Sequence, residues 1–224
     1  MKLCKFIIII LGIVRSIPFN FKSFPLKIAY KLPIIISPFV CLKENNGIIK
    51  IENSKIEVGM IRIGFGGVGI FDSVFSRTIW QVSGTVIFKG KTNIGHGSKI
   101  SVGKLGKLEI GDNFIITAES SIICHKSIRF GNNNLISWEN LFLDTDFHKI
   151  YNLNRKEIIN INKEIIIKDN VWIGCRNTFL KGTNISKNSI VASNSVINKE
   201  FLEENILIAG NPAKIVKKNV KWEL

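Results

Sequence analysis

The chain is poor in the residues that most function classes depend on. Its four cysteines, Cys4, Cys41, Cys124 and Cys175, form no CxxC pair and are too sparse among 224 residues for a disulfide scaffold. That excludes a small stapled secreted domain and indicates a reducing, cytosolic setting. Only three histidines occur, His96, His125 and His148, which leaves little from which to build a metal centre. Acidic residues are few: 17 against 31 Lys and Arg, for a formal charge of +14. There is no recognisable nucleic-acid module and few runs of consecutive basic residues, so that charge suits an anionic ligand or an anionic lipid surface better than a base sequence. The apolar run Phe6 to Val14 is too short to span a bilayer and lacks a clear small-residue cleavage site.

What the chain does have is a period. Ile167, Ile173, Phe179, Ile185, Val191 and Ile197 recur every six residues with glycine and small polar residues between them. This spacing fits neither a helix nor simple strand alternation. It predicts an all-β solenoid of hexapeptide repeats, in which each unit contributes a short strand and a turn and its aliphatic side chain stacks inward on the next. Two further ladders lie upstream, Val82, Phe88, Ile94 and Ile100, then Ile110, Ile116, Ile122 and Ile128. The slip between them, around Lys104 to Lys107, is expected to be a shortened or irregular turn. The three histidines fall at different phases of the ladders, which argues against a converging zinc site.

Residues 1–46 differ from the rest. Pro18, Pro25, Pro33 and Pro38 are expected to cut a basic, apolar stretch carrying Arg15, Lys22, Lys27 and Lys31 into helices of one to three turns. Three readings stay open: peripheral contact with anionic membrane, a cap over the open end of the solenoid, or a processed signal. The coils are expected over 47–217, starting irregularly near Gly47, with a tail at 218–224. They are interrupted by a polar excursion at about 144–164, and projecting loops of this kind usually carry function.

That excursion opens with Asp144-Thr145-Asp146-Phe147-His148, is followed by Val171-Trp172-Ile173-Gly174-Cys175, and a later Ala209-Gly210-Asn211-Pro212-Ala213-Lys214 completes the set. With these motifs the chain, over roughly 50–217, resembles the hexapeptide-repeat O-acetyltransferases of bacterial polysaccharide and sugar metabolism. The resemblance implies a left-handed parallel β-helix of three-sided coils, a homotrimer, and acetyl coenzyme A as co-substrate, with no metal. It places the catalytic histidine of the family at His148. A sugar hydroxyl is a poor nucleophile at neutral pH, and a base of pKa about 6.5 suits its deprotonation. The other ring nitrogen needs an acceptor, for which Asp146, Asp144 or a backbone carbonyl are the candidates. The family's upstream asparagine is missing, so Thr117 or Glu119 would have to replace it in the acceptor site.

For the donor, the resemblance maps coenzyme A contacts onto Cys175 behind Trp172 and Gly174, onto Ser193, Asn198 and Lys199, and onto Lys214 and Lys217. An amide near Gly174 or Cys175 would serve as the oxyanion donor, and the lysines would neutralise phosphates. Trp172 reads equally as a corner plug or a substrate platform. No histidine stands beside Cys175 in sequence, which disfavours a thiolate mechanism. The expected activity is acetyl transfer to a saccharide hydroxyl of capsule, lipopolysaccharide or exopolysaccharide, in the cytoplasm or peripherally at the inner membrane. Sugar-nucleotide N-acetyltransferase, serine acetyltransferase and a non-enzymatic docking module for glycan assembly are the alternatives.

Overall fold

Residues spaced by six stack because strand and corner repeat three times per turn, so an aliphatic side chain lands above its counterpart one coil earlier. The computed structural model describes residues 2–72 and 75–223, with side chains from residue 7 onward. Among them, strands form sheets A, B and C of nine, seven and seven, all parallel but the last strand of sheet A, as the faces of a three-sided coil that turns seven times. In sheet A, Ile36, Ile63, Ile94, Ile116, Ile136, Ile173 and Val191 lie in register, all fully buried. The column of sheet B turns aromatic halfway, and Phe142 stacks on Phe179 with ring centroids 4.5 Å apart and planes at 11°. A six-residue unit per face is strict only late in the chain. Ile173 to Val191 and Phe179 to Ile197 are 18 residues apart, whereas Ile94 to Ile116 and Ile100 to Ile122 are 22.

The corners explain how the coil stays regular. At the C–A corner, Asn113, Asn133, Asn170, Asn188 and Asn205 recur once per coil with φ between 54° and 57°, a left-handed conformation that asparagine tolerates. Asn113 Nδ2 donates to Asn133 Oδ1 at 3.0 Å and Asn170 Nδ2 to Asn188 Oδ1 at 2.9 Å, so part of this corner is also a side-chain ladder. The slip expected near Lys104 as a shortened or irregular turn is irregular by being lengthened. Gly103 to Gly106 join strands Lys99–Val102 and Lys107–Ile110, where the next coil uses only His125 and Lys126. Gly84 makes room for it: a Cβ there would meet the carbonyl oxygens of Gly103 and Gly106 at 2.2 and 2.4 Å.

Two boundaries differ from expectation. The solenoid begins before Gly47, because β1 (Ile34–Ile36), β2 (Cys41–Asn45) and β3 (Ile48–Ile51) form its first coil, pairing in parallel with Ile61–Phe65, Ile79–Val82 and Thr85–Phe88. Pro33 and Pro38 flank β1 rather than exclude it, since a strand of three residues needs no amide from either. Pro18 does not break the N-terminal segment either. Helix α1 (Lys2–Ser23) runs through it, followed by the single turn α2 (Leu26–Ala29). An internal proline costs about 3 kcal/mol, and tertiary anchoring on both sides of it offsets that cost.

The anchoring closes the open end of sheet A. Ile36 N donates to Ser16 Oγ at 2.8 Å, Ile34 N to Asn20 Oδ1 at 3.2 Å, and Asn20 Nδ2 to Ile34 O at 2.7 Å. Two side chains of a helix thus do for the edge strand β1 what another strand would do. Phe19 plugs the coil interior against Trp80, 6.0 Å between centroids, and Arg15 donates to the carbonyls of Pro38 and Val40. At the far end, strand Ile206–Gly210 of sheet A is covered by antiparallel Ala213–Lys218.

Candidate active site

The excursion leaves the solenoid at the B–C corner of the fifth coil, after strand Leu141–Leu143, and returns at Ile165–Ile167. Its base is fixed by Asp144, which is fully buried and accepts three backbone amides: His125 N at 2.7 Å on Oδ1, Lys126 N at 2.7 Å and Ser127 N at 2.8 Å on Oδ2. Of the three candidates to hold the His148 ring, Asp144 is therefore committed elsewhere. Both of its oxygens belong to the corner of the coil beneath, because Ile123 and Leu143 are in register and set Asp144 over Cys124. Burial, with Asp144 nearby, pushes the Cys124 thiol well up, so Cys124 is an inert core side chain.

Asp146 also has other partners. Its Oδ2 accepts Asn160 Nδ2 at 2.8 Å and Lys181 Nζ at 2.5 Å, and the Lys181 bond holds its carboxyl below the usual range. Lys181 further donates to Asn160 O at 2.8 Å, so these three residues clasp the two arms of the excursion to the corner of the sixth coil. Between the arms, Tyr151–Asn152 and Glu157–Ile158 pair as an antiparallel hairpin. His148 sits just past the clasp. Its N–H donates to Asp146 O at 2.7 Å and its carbonyl accepts Asn160 Nδ2 at 2.7 Å. The backbone of His148 is therefore held at both ends, while among the described residues no group hydrogen-bonds its ring. The ring is exposed and lines a cavity of about 410 Å³ with His125, Phe147, Lys149, Ile158 and Asn160.

Sequence reasoning missed two members of this site. Lys181 lies 35 residues beyond Asp146, yet Leu143 and Leu180 are in register, which carries Lys181 to the same corner. His125, in sequence no more than a third histidine out of phase with the ladder, lies one coil beneath, with its ring 5.0 Å from that of Phe147 at 78°. Phe147 itself has φ of 60°, a rare conformation for a bulky residue that turns the chain sharply just before His148.

The donor residues assigned by resemblance fall into two groups. Asn198 and Lys199 lie on the B–C corner of the last coil, and Lys199 shares a groove of about 470 Å³ with Lys214. Lys199 Nζ sits 5.3 Å over the Phe201 ring. Lys217 stands exposed on the terminal hairpin, opposite Leu207. Gly174, Cys175 and Ser193 are on the A–B corner, across sheet B from His148. There Ser193 Oγ accepts Cys175 N at 3.2 Å and lies 3.3 Å from Cys175 Sγ. A Cβ on Gly174 would meet Ser193 Oγ at 2.8 Å and Ser193 N at 2.9 Å, so glycine is what lets Ser193 pack against this buried corner. Trp172 is 38% exposed on the outer face of sheet A, beside Trp222 at 6.3 Å, and therefore plugs no corner.

Of the two substitutes for the upstream asparagine, Glu119 is committed. It accepts Lys99 Nζ at 2.8 Å and Ser76 Oγ. Thr117 Oγ1 is buried with no hydrogen-bond partner among the described residues. Beside this cluster, burial holds the His96 ring below its ordinary pKa, against the opposing pull of Glu119 and Asp72.

Comparison with known proteins bears on this geometry. No family model matches the chain. A protein from the cps region of Klebsiella pneumoniae, described only as uncharacterized and 24.8 kDa, is 31% identical over 204 residues, 91% of this chain and 87% of that protein. The polysialic acid O-acetyltransferase of Neisseria meningitidis is 32% identical over 183 residues, 80% of this chain and 75% of that one. The solved structure of the polysialic acid O-acetyltransferase OatWY covers 86% of this chain and 88% of its own, at 26% identity and a TM-score of 0.51.

Proposed function

Because the chain belongs to the hexapeptide-repeat O-acetyltransferases, and is thus an acyltransferase built on a left-handed β-helix, we propose that it moves an acetyl group from acetyl coenzyme A to a hydroxyl of a bacterial surface saccharide, with His148 as general base. The observation that carries this reading is the His148 ring itself. It is exposed in a cavity, its backbone is bonded on both sides, and among the described residues none bonds either ring nitrogen. One ring nitrogen then takes the acceptor hydroxyl's proton as its oxygen bonds to the thioester carbonyl carbon, and gives that proton to the coenzyme A thiolate as the C–S bond breaks. Acetyl coenzyme A supplies the activated thioester carbonyl. The A–B corner at Cys175 and Ser193 would take the pantetheine arm, and the groove of Lys199 and Lys214 its phosphates; the amides of Gly174 and Cys175, the expected oxyanion donors, are bonded to Val191 O and Ser193 Oγ.

These two groups lie on different corners of one chain. In our reading they meet between copies, where the A–B corner of one faces the excursion of the next in a homotrimer. The exposed apolar side chains of the excursion, Phe147, Ile150, Leu153 and Ile161 among them, support such a contact. The cytoplasm, where acetyl coenzyme A is available, is the proposed site of reaction.

The test is thioester consumption against a panel of oligosaccharides, including polysialic acid, with mass spectrometry of the products. An acetyl ester on a saccharide is the expected product. Acetylation of an amine alone would replace this reading with N-acetyl transfer, and release of coenzyme A with no acylated product would refute transfer to a saccharide.

A further inference from the structure

Helix α1 is turned inside out for a helix in water. The stripe it buries against the first coil is largely small and polar: Gly12, Ser16 and Asn20, with Phe19 as the plug. The side it shows to solvent is apolar. Ile7, Ile10, Leu11, Val14, Ile17 and Phe21 are between 43% and 59% exposed. At about 100° per residue they cover, together with Ile9 and Ile13, an arc of roughly 200°. A seam for one partner helix is narrower, two positions in seven.

Charge narrows the choice of what covers this face. Every charged side chain before Glu44 is basic, and Lys22 and Lys27 are exposed at its edge. A second copy of the chain would bring the same cations against these. An anionic leaflet would not. Orientation narrows it further, because α1 runs antiparallel to β1 across the open end of the solenoid, held by Ser16 and Asn20. A helix bound along one side to a sheet edge cannot cross a bilayer, and no helix among the described residues is long and apolar enough to do so.

We propose that α1 is an interfacial anchor. Its isoleucine face lies at the boundary of headgroups and acyl chains in an anionic leaflet, Lys22, Lys27 and Lys31 meet lipid phosphates, and the solenoid stands on its first coil. The proposal is independent of acetyl transfer, so turnover of a soluble saccharide stays unchanged in the variants that test it.

The experiment is co-sedimentation of the full chain with phosphatidylcholine vesicles, with and without phosphatidylglycerol. The unsubstituted chain should partition to the anionic vesicles and be released by alkaline carbonate. The variant Ile10→Glu/Val14→Glu/Ile17→Glu should lose roughly tenfold or more of that partitioning with an unchanged melting curve, because all three side chains face solvent. The variant Lys22→Glu/Lys27→Glu/Lys31→Glu should lose the preference for phosphatidylglycerol, and it decides the matter alone if the first fails to fold. Equal sedimentation of the variants and the unsubstituted chain overturns the proposal, as does resistance to carbonate. A fall in solution mass of the isoleucine variant, with vesicle binding unaltered, overturns it in favour of a second copy on this face.

Discussion

The coils and the excursion that leaves them are held by different forces. Along the coils, side chains such as Ile136, Phe142 and Phe179 are fully buried and in register, so position follows from packing and every residue is fixed by neighbours above and below. The excursion buries almost nothing. Leu153 is 90% exposed, and the loop keeps its shape through a two-stranded hairpin and the clasp of Asp146, Asn160 and Lys181. Packing builds a wall that tolerates little change, while polar bonds hold a single histidine in reach of solvent. Stability and catalysis should therefore separate cleanly by location.

The largest effect tests the wall. Phe142→Ala should destabilise the fold by about 3–5 kcal/mol in urea unfolding, the usual cost of emptying an aromatic site that cannot collapse. A loss below 1 kcal/mol would mean that the aromatic stack is dispensable. Next comes the excursion. His148→Ala should lower turnover about a hundredfold or more, about 2.7 kcal/mol of barrier, with the melting temperature unmoved. Near-normal turnover would remove His148 from the mechanism.

Asp144 joins the two regions and should blur the division. Asp144→Ala leaves three amides at the His125–Ser127 corner without their acceptor, so about 1–3 kcal/mol of stability and part of the activity should fall together. An effect on activity alone would show that Asp144 acts on the histidine after all. The smallest effect belongs to the clasp. Lys181→Met should lower turnover roughly threefold to tenfold by loosening His148, and it should expose Lys149 and Arg155 to trypsin at neutral pH. In the parent chain the folded-state pKa of Asp146 is lowered, so its contribution is complete above the ordinary aspartate value of 3.8 and is lost as pH falls through the lowered value. Nicking of the excursion by an acid protease should rise in that interval, and in Lys181→Met it should already be high at its upper end.

Much of this was legible in the sequence, for a physical reason. A solenoid repeats its core once per unit, so Ile173, Phe179 and Val191 announce their burial by spacing alone. The upstream ladders lost phase because corners such as Gly103–Gly106 lengthen without disturbing the columns. The excursion and His148 were visible as an interruption of the period. What was hidden is whatever depends on register between coils. Asp144 and Asp146 sit four and two residues before His148 and so looked like its partners, but one caps the corner beneath and the other reaches Lys181 on the corner above. In the same way Ser16 and Asn20 were unremarkable polar residues in an apolar helix until β1 supplied the edge they complete. Pro18 was given too much weight for the same reason, since nothing local indicates that α1 is anchored on both sides of it.

The stack of coils is also a ruler. Successive strands in each sheet are about 4.8 Å apart, so the excursion leaves the fifth coil about 19 Å beyond the first along the axis. Were α1 to rest on a leaflet and the acceptor to be a tethered glycan, as proposed, that rise would set the height above the lipid at which the chain is modified. Sugars close to the anchor would pass beneath the histidine untouched, and a variant lengthened by one coil would shift the modified position outward by one such step.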